Sequence, residues 1–179
     1  MALSMSGPMA DFGPRLAAVC AVAPALIVAW CKTISLPLDD GQLARTPFVC
    51  LIVYMLLLAF SNWPAVFWMA LHGGFDNADP RAAKAKLDGL PARMHAAHSN
   101  TVEGLPVFLA GIFPAVHLRL DPALTAELCV LYIVCRIAYF PLYYASIDLL
   151  RTLVWATGFF ASLLLAVIAT FPELAPFLA

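Results

Sequence analysis

Charge is what this sequence has least of. Only 12% of its 179 residues are charged and the net charge is −1, with a pI near 6.4. No basic surface is available to neutralise a row of phosphates, so no nucleic-acid partner is expected. Metal and redox motifs are missing too. The five cysteines, Cys20, Cys31, Cys50, Cys129 and Cys135, fall in apolar stretches without C-x-x-C or Cys/His spacing, and they read as small buried hydrophobes. No two histidines show the i, i+4 arrangement with a carboxylate that a zinc site uses, and His95 with His98 at i, i+3 is a weak signal, so no metal is expected. Nothing resembles a nucleotide loop or a nucleophile elbow, which argues against an enzyme of soluble substrates. No apolar stretch alternates with period two, which excludes a β-barrel.

What is abundant is apolar length. The chain is 63% hydrophobic with a mean hydropathy of +0.89, the balance of an integral membrane protein. A spanning helix needs about 20 apolar residues, and five stretches approach that, roughly 15–36, 47–71, 95–117, 123–146 and 150–171. The expected fold class is all-α, an integral membrane helical bundle. The first stretch continues past Pro24 through Trp30, longer than an ordinary signal-peptide core, so a true helix is favoured over a signal peptide. Residues 35–41 form a turn-rich connector, and Thr46-Pro47 is a helix start by its chemistry. The longest polar stretch, from about His72 to Pro91, holds Arg81, Lys84 and Lys86, with Arg93 just after it. By the positive-inside rule that loop is cytoplasmic, the N-terminus starts in the cytoplasm, and the Arg119–Pro122 turn lies outside together with Lys32 and Arg45.

Two polar clusters interrupt the apolar spans. Ionisable groups cost several kcal/mol in hydrocarbon unless they pair or line a cavity, so their presence marks function. Arg93, Asn100 and Glu103 (i, i+7, i+10) share one helix face, with Ala96 and Ala97 leaving space beside them. Arg136, Tyr139 and Tyr143 (i, i+3, i+7) share another, and Arg151 follows two turns on, offset by about 80°. Pro141 is expected to bend that helix. Both clusters fall toward the cytoplasmic side, so antiparallel neighbours bring them together in one site. A bare Glu103–Arg136 ion pair is the simpler alternative, but a pair alone needs neither Asn100 nor two tyrosines, whereas an anionic peptide-like ligand does. His98 suits a headgroup-level surface position as well as it suits ligand contact; His72, His95 and His117 read as interfacial.

At these residues the sequence resembles the MAPEG family, the membrane-associated proteins of eicosanoid and glutathione metabolism, as a bacterial-type member with an extra N-terminal helix. The run from Arg93 through Asn100, Glu103, Pro106 and Phe108 is similar to the family's second-helix signature, and Arg136-Ile137-Ala138-Tyr139-Phe140-Pro141-Leu142-Tyr143 is similar to its Arg-x-x-Tyr-x-x-x-Tyr third helix. The resemblance divides the chain into an N-terminal extension (1–45) with the additional helix, a MAPEG-like four-helix domain (46–172) and a short tail (173–179). It implies a homotrimer in the membrane lipid, with glutathione as co-substrate and a lipophilic small molecule as its acceptor. Asn100 and Glu103 would hold glutathione's polar backbone, Arg136 and Tyr139 its charged ends, and Tyr143 the wall, with Arg93 and His98 in the same binding set. Arg151 would be catalytic, favouring the nucleophilic thiolate of a thiol whose free pKa is near 8.5.

The chain also departs from the family. Conjugating members carry a second arginine four residues before the Asn, where this chain has Ala96. The lost contact to a carboxylate is one of a class worth about 1.5–3 kcal/mol. Arg151 falls one residue later after the second tyrosine than in the leukotriene synthases. The expected function is a membrane glutathione transferase or peroxidase acting on lipophilic electrophiles. A non-catalytic family member that binds a lipid or a partner protein is the alternative. A transporter subunit built on Glu103 and Arg136 predicts internal repeats, and the two halves show none.

Overall fold

The computed structural model of the protein describes residues 12–178. Its elements are α1 (Phe12–Thr33), α2 (Asp40–Ser61), α3 (Trp63–Leu71), α4 (Pro80–Ala85), α5 (Gly89–His117), α6 (Pro122–Tyr144) and α7 (Asp148–Thr170), followed by a 3-10 segment, Pro172–Leu178. No strand occurs among the described residues. Among the described residues four stretches are long and apolar enough to cross a membrane: Pro14–Thr33, Asp40–Leu71, Pro122–Tyr144 and Asp148–Thr170. The protein is therefore an integral membrane protein with an all-α fold. The fifth expected span, α5, is not among those four, because Arg93, His95, His98, Asn100 and Glu103 dilute its hydropathy. Its 29 residues still make it the longest helix, about 43 Å at 1.5 Å per residue.

The helix ends follow local chemistry. Residue 39 begins a capping box: the Asp39 carboxylate accepts from the Gln42 N–H, and the Gln42 side chain accepts from the Asp39 N–H. That box starts α2 at Asp40 rather than at Thr46-Pro47, and Pro47 is buried inside the helix. The span expected over 47–71 lies within the single stretch Asp40–Leu71, whose helix breaks at Asn62, the end of α2 and start of α3. Pro64, near the start of α3, has no N–H to give the Phe60 carbonyl, so a continuous helix loses a bond there. α6 runs on through Pro141 to Tyr144. It ends in a left-handed Ser146 (φ 58), with Ile147 N–H bonded to Leu142 O at 3.0 Å and Ser146 N–H to Tyr143 O at 3.2 Å. This double closure is the usual helix stop, made here without glycine, and it turns the chain directly into α7.

α6 is the centre of the bundle, packed on α7, α2 and α5, while α5 lies along α7. In lipid there is little hydrophobic drive between helices, so close packing of small residues takes over. Gly111 illustrates it: a Cβ there would collide with the hydroxyl and backbone of Ser162, whose hydroxyl donates to Val107 O at 2.8 Å across the α5–α7 seam. α1 lies on α7 and α6. It buries Val19, Ala23 and Ile27, spaced by four, and donates from Trp30 Nε1 to Glu127 O at 3.1 Å. Arg15 adds an exposed ion pair with Asp148 at 3.3 Å. Cys50, Cys129 and Cys135 are buried and Cys31 half-buried, but Cys20 is exposed because α1 packs along one side only.

Candidate functional site

The site grows from a knot of buried polar groups between α2, α5 and α6. Gly104 on α5 has no side chain, and the space is taken by the Arg136 guanidinium and the Tyr54 hydroxyl; a Cβ there would stand 2.5 Å from Arg136 Nη2 and 2.6 Å from Tyr54 Oη. Arg136 is 3% exposed. A charge so deep is costly unless its donors are used, and two of its three nitrogens donate. Nη1 donates to Asn100 Oδ1 at 2.8 Å and Nε to Tyr132 Oη at 3.2 Å. The Tyr132 hydroxyl in turn donates to Gly104 O at 2.9 Å, and the Tyr54 hydroxyl to Thr101 O at 2.7 Å. Backbone carbonyls of α5 are thus tied to both flanking helices.

The simpler alternative, a bare Glu103–Arg136 ion pair, does not form. Among the described residues the one ion pair is Arg15–Asp148, and Glu103 is exposed, in the wall of an open cavity of about 440 Å³. Asn100, Ser99, Ala96 and His95 continue that wall along α5, Tyr139 and Tyr143 close it from α6, and Lys84 reaches it from α4. The Asn100 carbonyl accepts from Arg136, which leaves the two amide N–H donors available to a ligand. The Tyr139 and Tyr143 rings meet edge to face with centroids 5.3 Å apart. The cavity therefore offers donors, acceptors and both signs of charge within a volume typical of small-molecule sites.

Asn100, Glu103, Tyr139 and Tyr143 come together in the cavity, and the other expected binding residues do not line it. Arg136 stands behind Asn100, since Gly104 opens room for it there rather than at the wall. Arg93 donates from Nε to Tyr144 O at 3.0 Å, pinning the start of α5 to the end of α6. His98 turns toward α2, where Nδ1 meets Ser61 Oγ at 2.8 Å. The Ser61 hydroxyl also reaches Leu58 O at 3.1 Å, and His98 is not among the residues that line the cavity. Arg151 lies outside the wall but against it, with Cζ 4.5 Å from the centre of the Tyr143 ring.

Lys84, His95 and Ser99 are cavity residues beyond the expected set. His95 reads as interfacial in sequence, yet its Nδ1 is buried without a hydrogen-bond partner. For Lys84 the one local signal is Asp79-Pro80, a helix start in the polar loop: Asp79 caps α4 by accepting from Ala82 N–H at 3.1 Å. No group of three or more His, Cys, Asp or Glu among the described residues is arranged to hold a metal ion.

The MAPEG family model matches residues 46–171, the stretch from within α2 to just past α7 that holds every cavity residue. No curated protein matches the chain.

Proposed function

The chain belongs to the MAPEG family, and from that premise we propose that it is a membrane-bound glutathione-dependent transferase or peroxidase acting on lipophilic electrophiles. The observation that carries the proposal is Arg151 on the Tyr143 ring, which sets a guanidinium against a residue of the wall of a mixed-charge cavity. Asn100 and Glu103 bind the polar backbone of glutathione, with Tyr139 and Tyr143 over the remaining side. The fit is chemical. A peptide-like zwitterion carries amide carbonyls for the Asn100 amide, an ammonium for Glu103 and a thiol for the Tyr143 end. Positive charge next to a thiol favours the thiolate, which attacks the electrophilic carbon while the leaving group departs with its electron pair. Arg136 acts at one remove, positioning Asn100.

We further propose that the protein works as a homotrimer with its site toward the cytoplasmic face. The positive loop before α5 supports the orientation. The outer stripe of α5, from Glu103 through Leu109 to Phe113, which is 71% exposed, supports contact with further copies. One observation favours the second reading, a non-catalytic member that binds a lipid or a partner: Arg151 lies outside the cavity wall and no arginine lines it.

Glutathione binding to the detergent-purified protein, followed by thiolate absorbance at neutral pH, separates the two. Enzymatic function predicts a thiolate signal that Arg151→Ala abolishes. Binding with no thiolate, or no binding at millimolar glutathione, favours the non-catalytic reading.

A further inference from the structure

Lys84 is the one Lys or Arg in the cavity wall, although the chain has ten such residues. It comes from α4, a six-residue helix in the polar loop, and reaches a wall that α5 lines with Ala96, His95 and Asn100. It makes no ion pair with any carboxylate of the described residues. Its neighbour in the wall, His95, likewise keeps a buried Nδ1 without a partner. An ammonium without an ion pair on that stretch of wall marks where a ligand supplies an acceptor. Glu103, the carboxylate of the same cavity, repels an anion from its own part of the wall.

From this we infer that Lys84 is the anchor for a carboxylate of the bound ligand, supplied from the loop because position 96 on α5 carries only a methyl group. The α4 cap is what delivers it. Asp79 accepts from Ala82 N–H, Pro80 opens the helix, and Lys84 follows one turn later on the exposed loop. A lysine on a loop gives the cavity a point charge that can swing in with the ligand, unlike an arginine fixed on a spanning helix. This role rests on the cavity being a glutathione site.

The test is calorimetric titration of the full-length protein in detergent with glutathione and with glutathione diethyl ester, in which both carboxylates are blocked. The wild type is expected to prefer glutathione over the diester. Lys84→Ala should weaken glutathione binding roughly tenfold, at the low end for a charge-assisted contact, while leaving the diester nearly unchanged. Lys84→Arg should retain the preference, and Ala96→Arg should restore it to Lys84→Ala. If Lys84→Ala binds glutathione as tightly as the wild type and still rejects the diester, Lys84 is not the anchor, though the cavity remains a glutathione site. If the wild type binds no glutathione, both the site's proposed ligand and this role for Lys84 fall together.

Discussion

Arg136 holds Asn100 from behind, its Nη1 2.8 Å from the amide oxygen, so the amide that faces the cavity is oriented by a charge that stands outside the cavity wall. Arg136→Gln removes that bond and the one to Tyr132 and leaves the space beside Gly104 underfilled. It should cost about 2–4 kcal/mol of stability. A double-mutant cycle with Asn100→Ala, read by thermal unfolding in detergent, should show a coupling of about 1 kcal/mol or more. Additive effects would mean the contact does not tie the two residues together.

Gly104→Ala tests the same knot sterically. The new methyl would meet Arg136 Nη2 at 2.5 Å and Tyr54 Oη at 2.6 Å, both fixed by their hydrogen bonds, so a loss of about 1–3 kcal/mol is expected. Gly158→Ala is the control. There the nearest atom is Cys135 Cβ at 3.2 Å, and a melting temperature much closer to the wild type is expected.

The seat of Arg151 is a ring, not a hydroxyl. Tyr143→Phe keeps the face on which the guanidinium lies at 4.5 Å, whereas Tyr143→Leu removes it and a contact of about 0.5–2 kcal/mol. Thiolate absorbance with bound glutathione should largely survive the first change and fall with the second toward the level of Arg151→Ala. Equal loss in both variants would assign the effect to the Tyr143 hydroxyl instead.

At the α6–α7 turn, Ser146 occupies a left-handed conformation, φ 58, which glycine adopts without steric penalty. Ser146→Gly should raise stability by several tenths of a kcal/mol, net of glycine's greater entropy in the unfolded chain. Thermal unfolding measures it, and a lower melting temperature would show that the Ser146 side chain contributes something its backbone strain does not reveal.

Much of the bundle is readable in apolar length, because a helix must satisfy its own backbone bonds in lipid. The approximate positions of α1, α6 and α7 follow from that alone. The start of α2 is misread because Pro47 looks like a helix opening, while the stronger signal, the Asp39/Gln42 box, sits earlier. Within the site, the i, i+3 spacing of Asn100 and Glu103 correctly puts them on one wall. The spacing of Arg136 and Tyr139 is the same, yet Arg136 lies behind the wall and Tyr139 in it, since which way a long side chain leans depends on the hole at Gly104 across the seam. Periodicity carries no information about a neighbouring helix. Lys84 lies beyond such reasoning altogether, because a loop's landing point is set by packing far from it in sequence.

α1 keeps to the α6 and α7 side of the bundle, leaving apolar side chains of α2 such as Val49, Ile52 and Met55, and of α5 such as Leu109 and Phe113, facing outward. A segment attached there behaves as an outrigger: it widens the protein against the lipid on one side and leaves the apolar faces of α2 and α5 uncovered on the other.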